Sequence, residues 1–153
     1  MTRFPKTVRQ FLIDRHLHPT ARVVEGKWLN NGHLATAAID LSDGLSGDLR
    51  HLCENSRVGA EIELSTLPIS PACRAYAKLV GMPPIQLALT GGEDYELLFT
   101  VPASQQKRLE QQARTRGYYI TRIGTIRLRR FGIQMTSDGR TRPMPMTSYE
   151  HFR

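Results

Sequence analysis

Apolar positions along the chain follow two periods, and the changes between them delimit the elements. In residues 4–17, Phe4, Val8, Phe11, Leu12 and Leu17 recur at helical spacing. Pro19 disfavours helical geometry at His18, so this helix is predicted to stop there. Residues 20–35 hold Gly26, Asn30, Asn31 and Gly32 and read as a connector in which VVEGKWL makes one or two helical turns that dock Trp28. From Thr36, ATAAIDL predicts a buried strand. Ser42, Asp43 and Gly44 turn it into a helix striped by Leu45, Leu49 and Leu52.

Residues 59–65 alternate Ala60, Ile62 and Leu64 with Glu61 and Glu63, the period of a half-buried strand. Ser70 and Pro71 form an N-cap and first-turn pair for a helix to about Val80, closed by Gly81. A short apolar run, Ile85 to Leu89, precedes Gly91 and Gly92. YELLFTV, residues 95–101, reads as a core strand, and residues 102–116 as a polar-faced helix ended by Gly117. The strings YYITRIGTIRL and RFGIQMT, with the turn Ser137-Asp138-Gly139, predict strands that close a sheet by hairpins. The fold class expected is α+β: a mixed, mainly antiparallel β-sheet with three to four helices packed on it.

Composition narrows the class. The chain has 153 residues, 40% hydrophobic and 23% charged, the balance of one globular domain with one core. No apolar run is long enough to span a bilayer, and the first residues lack the apolar core and cleavage site of a secretory signal, so a soluble cytoplasmic protein is expected. Cys53 and Cys73 are too far apart for a paired-thiol motif and read as buried, reduced thiols. The net charge of +7 is unevenly spread: residues 1–36 carry +4, residues 37–100 carry −5 and residues 101–153 carry +8. A nucleic-acid module concentrates bases on one helix with aromatics to stack on. Here carboxylates gather in two glycine-containing strings flanked by basic segments, which suits a metal ion and phosphorylated small molecules rather than nucleic acid.

The first string is Asp40-Leu41-Ser42-Asp43-Gly44-Leu45. Two carboxylates and a hydroxyl within four residues offer hard oxygen ligands to Mg²⁺, and the helix start offers N–H groups to a phosphate. The same residues also fit a plain helix start, with Ser42 or Asp43 as N-cap contributing about 1 kcal/mol. Asp40 favours the first reading, because a carboxylate ending a buried strand needs a cation or a partner. The second string is Thr90-Gly91-Gly92-Glu93-Asp94-Tyr95-Glu96, whose glycines allow close backbone approach; it fits either a binding loop or a hairpin turn with exposed acids. Five scattered histidines make a histidine metal site a poor fit. Arg122, Arg127, Arg129 and Arg130 read as a solvated basic face.

AAIDLSDGLSGDLRHL, GAEIELSTLPISP, LALTGGEDYELLFTV, ITRIGTI and the ending SYEHF together resemble, in order and spacing, the carboxyl-terminal half of thiamine-monophosphate kinase, in the aminoimidazole ribotide synthetase superfamily. That resemblance covers roughly residues 7–153. It implies ATP- and Mg²⁺-dependent phosphorylation of thiamine monophosphate to thiamine diphosphate. On it, Asp40 and Asp43 match metal-binding acids, Ser42 matches an ATP contact, and Glu93 and Phe152 match substrate contacts. Residues 1–35 become the linker and lead-in helix from a boundary with an absent amino-terminal domain, and residues 36–153 the substrate-side domain. Such a half is expected to be inactive alone, and to cover its apolar surface either as a homodimer or against that domain. The alternative is a non-catalytic ligand-binding or protein-interaction module derived from such a kinase.

Overall fold

A computed structural model describes residues 5–145, so Phe4 and Phe152 lie outside the described residues. Two helices lead in, α1 (Lys6–Leu17) and α2 (Val23–Asn31). The expected connector is therefore a full helix, and it buries Leu29, at 3% exposure, more completely than Trp28. Trp28 instead lies half-buried against Tyr118, with ring centroids 5.2 Å apart, and its indole N–H donates to Gln112 Oε1 at 3.2 Å.

Strand β1 (Ala37–Asp40) pairs antiparallel with β3 (Leu97–Thr100), in the register Asp40 to Leu97. Between them in sequence come α3 (Leu45–Ser56), β2 (Val58–Glu63), α4 (Pro71–Val80) and α5 (Pro84–Thr90). Helix α6 (Gln106–Arg116), then β4 (Gly124–Leu128), β5 (Ile133–Ser137) and β6 (Arg140–Pro143), complete the chain. The expected single sheet is two: β1-β3, and a second with the order β4-β2-β5-β6. Strand β2 is central there, antiparallel to β4 and parallel to β5. Among the described residues only β5 and β6 form a hairpin, across Asp138 and Gly139, both at positive φ as a two-residue primed turn requires.

The α+β class and the mainly antiparallel pairing hold, with six α-helices among the described residues rather than three to four. The additional ones are α2 and α5, whose short apolar runs carry too little periodicity to be typed from sequence.

Helix α3 joins the two sheets, touching β1, β2 and α5. Its Leu45, Leu49, Leu52 and Cys53 sit in the main core with Ile62, Leu64, Leu89 and Met135. A second cluster gathers Leu29, Leu34 and Leu109. Ser70 caps α4 by accepting the Cys73 N–H at 3.1 Å, and Gly81 ends it in left-handed geometry. Exposed apolar residues mark α1 and α2 (Phe11, Leu17, Val23, Val24) and the end of α4 (Leu79, Val80, Met82). In the short apolar run Leu89 is buried and Leu87 and Ala88 are half-buried, because α5 packs on α3 and α4. Among the described residues no helix is long and apolar enough to cross a membrane.

Candidate functional site

The two acidic strings are docked on each other. The Glu93 N–H donates to the Ser42 carbonyl at 2.8 Å, the Tyr95 N–H to the Leu41 carbonyl at 2.8 Å, and the Leu41 N–H to the Glu96 carbonyl at 2.8 Å. This ladder continues the β1–β3 pairing past Asp40 and sets Ser42 beside Glu93. Glycine is needed where the loops touch: a Cβ on Gly92 would lie 2.5 Å from the Ser42 carbonyl oxygen. Gly44, at φ +95°, would place one 2.9 Å from that of Gly91. Glu93 and Tyr95 themselves adopt positive φ, at 64° and 50°, strained geometry that concentrates at working sites.

Asp40 is exposed, which corrects the expectation of a buried strand end. Strand β1 is covered on one face only: Ala37 and Ile39 pack on the core while Ala38 and Asp40 point away from it. The desolvation argument for a cation at Asp40 therefore does not apply to this structure. Asp43 and Ser42 are half-buried in the turn. The N-cap position of α3 is Gly44, one residue beyond the two that the helix-start alternative named.

The acid that organises this turn is Asp48, which the sequence reading passed over. It is 2% exposed, and its Oδ2 accepts the main-chain N–H groups of Ser42 at 3.0 Å and Asp43 at 3.1 Å. Burial pushes its carboxyl above the usual value; the backbone hydrogen bonds oppose that rise, and the charges of Asp43 and Asp40 add to it. The available signal was an acid in the first turn of a helix, too common to single out.

The lead-in helices also reach the site. Arg15 and Arg22 converge on Glu96, and the His16 Nδ1 lies 3.5 Å from Glu93 Oε2. Burial works against charge on Glu96, yet hydrogen bonds and charge from Arg22 and Arg15 outweigh it and hold the carboxyl below its usual value. Of the basic residues near the end, Arg127 is spent on Glu61, its Nε and Nη2 lying 3.0 and 2.5 Å from Oε2. Two shallow depressions, one on α6 and one between α1 and the start of α4, are lined by no residue of either string. On the strings themselves Asp40, Glu93, Asp94 and Tyr95 are exposed, and Ser42, Asp43 and Glu96 half-buried.

Residues 7–134 match the family described as AIR synthase related protein, C-terminal domain. A thiamine-monophosphate kinase of Escherichia coli is 39% identical over 142 residues, which are 93% of this chain and 42% of that protein. One of Haemophilus influenzae is 39% identical over 147 residues, 94% of this chain and 43% of that one. The chain thus spans less than half the length of these relatives. Among solved structures, AaThiL complexed with AMPPCP and TMP is 34% identical with a TM-score of 0.77, covering 99% of this chain and 44% of that one. A thiamine-monophosphate kinase from Stenotrophomonas maltophilia is 39% identical with a TM-score of 0.75, covering 90% and 42%. A hydrogenase maturation protein from Escherichia coli, at 19% identity and a TM-score of 0.70, shares the fold. The chain belongs to the AIR synthase related C-terminal domain family, and within it corresponds to the carboxyl-terminal half of the thiamine-monophosphate kinases.

Proposed function

We propose that this chain is the substrate-side part of an ATP- and Mg²⁺-dependent phosphotransferase that turns thiamine monophosphate into thiamine diphosphate. The observation that carries this reading is the 2.8 Å bond from the Glu93 N–H to the Ser42 carbonyl, which makes one rim of two strings separated by about 50 residues of sequence. Phosphoryl transfer needs positioned groups and charge neutralisation rather than a covalent nucleophile, and the rim offers carboxylates and a hydroxyl.

In this reading Asp40 and Asp43 hold Mg²⁺, Ser42 meets ATP, and Glu93 contacts thiamine monophosphate together with Phe152, which lies outside the described residues. The residues suit that ion. Among the described residues no three His, Cys, Asp or Glu side chains converge as a ready metal site. Two carboxylates match an ion that keeps its waters and takes substrate phosphates as its remaining ligands. When bound, Mg²⁺ neutralises charge on the phosphoryl group in flight. Glu93 would orient the acceptor, and the strained backbone beside it fixes that orientation before substrate arrives. Arg15 and Arg22, in the lead-in, clamp the loop through Glu96. Two carboxylates supply part of a metal's ligand shell, so in this reading the chain works with a further protein segment and is inactive alone.

The test is a titration of the isotope-labelled chain with Mg²⁺, an ATP analogue and thiamine monophosphate, read by amide NMR. Signals of residues 40–44 and 91–96 are expected to move. Movement confined to residues 122–130 would reduce the interaction to loose anion attraction and end this reading.

A further inference from the structure

We propose that Asp48 is a positioning residue for the phosphate-facing turn, holding the main chain of Ser42 and Asp43 in place from behind. This rests on the phosphotransferase reading for its purpose, though its geometry stands independently. A turn that presents Asp40, Ser42 and Asp43 to a metal and a nucleotide must keep its shape without a ligand, or binding must first order it. Gly44, the N-cap, offers no side chain for this and stands at φ +95°. Asp48 supplies the hold from one turn further along. Its single oxygen Oδ2 takes both N–H groups, and at 2% exposure the carboxylate is shielded from competing water.

The same first turn fastens the second string. Ser46, fully buried, donates its hydroxyl to the Leu89 carbonyl at 2.8 Å, just before Thr90 and Gly91. Helix α3 therefore anchors both loops at neighbouring positions, Asp48 on the metal side and Ser46 on the substrate side. Because both bonds to Asp48 end on one oxygen, an amide oxygen in the same place can accept both, as weaker neutral bonds. Asp48→Asn is thus the conservative replacement, and Asp48→Ala removes the acceptor.

The experiment is amide hydrogen exchange on the chain itself, wild type and both variants. Asp48→Ala is expected to speed exchange at Ser42 and Asp43 about tenfold or more while Leu49 and Leu52 keep their protection, and Asp48→Asn to recover most of that loss. Unchanged exchange at Ser42 and Asp43 in Asp48→Ala would overturn the proposal. So would a uniform speeding throughout the chain that Asp48→Asn fails to reverse, the mark of a purely structural residue. A second readout is the Mn²⁺ concentration, with ATP present, that half-broadens the Asp40 and Asp43 signals. It is expected to rise several-fold in Asp48→Ala and to return most of the way in Asp48→Asn, and an equal midpoint in all three proteins contradicts the assignment. Exchange needs no ligand, so it can fail while the thiamine monophosphate titration succeeds, or the reverse.

Discussion

Arg22 grips Glu96 with two nitrogens, Nε to Oε2 at 2.9 Å and Nη2 to Oε1 at 2.8 Å, and so bonds the lead-in segment to the loop carrying Glu93. Arg15 adds a third bond at 2.7 Å from α1. Because Glu96 is held below its ordinary value of 4.5, the stability it contributes is fully present above that value and is lost as pH falls through the lowered one. These side chains are 30–41% exposed, so the contribution is about 1 kcal/mol. The protection of α1 amides, taken relative to the intrinsic exchange rate at each pH, is expected to fall about fivefold in that acid range and to be that low already at neutral pH in Glu96→Gln. Full protection in Glu96→Gln at neutral pH would show that apolar contacts alone hold α1.

Gly92→Ala tests how tightly the loops are packed. The new methyl group would meet the Ser42 carbonyl oxygen at 2.5 Å and force apart the bond beside it, a cost of about 2 kcal/mol or more in urea unfolding. Gly81→Ala is the comparison. It has nothing within 4 Å but a φ of +69°, and should cost about 1 kcal/mol through backbone geometry alone. Equal losses would mean that the two loops yield easily.

The cysteines should separate on alkylation. Cys53, 2% exposed, has a thiol pushed up to about 11 by burial and the charge of Glu54. Cys73 is half-buried rather than buried as expected, and its thiol is also raised, by burial and Asp94. Mass spectrometry under native conditions should find label at Cys73 first, with Cys53 modified only on unfolding. Early label at Cys53 would reveal opening of the α3 face.

Local chemistry was legible from the sequence. Ser70, Pro71 and Gly81 delimit α4 because caps act on their own neighbours, and Asp138-Gly139 makes its hairpin for the same reason. Both acidic strings were found by composition, but their docking was not, since the bond between Glu93 and Ser42 depends on β1 pairing with β3. The exposure of Asp40 was missed because ATAAIDL reads as apolar on both faces, alanine being too small to show which side is covered. Asp48, and the grip of Arg15 and Arg22 on a residue more than 70 positions away, arise only when α3 and the lead-in helices pack. The parallel pairing of β2 with β5 likewise leaves no mark on short-range pattern.

The most direct measurement is thiamine diphosphate formation by this chain joined to the remaining length of a curated relative, with Asp40→Asn, Asp43→Asn and Glu93→Gln compared at equal folded concentration. Each aspartate variant is expected to lower turnover by about 100-fold or more with unfolding midpoints nearly unchanged, while Glu93→Gln mainly raises the KM for thiamine monophosphate. Full turnover in Asp40→Asn accompanied by a lost unfolding midpoint would make the first string a structural turn and contradict the account.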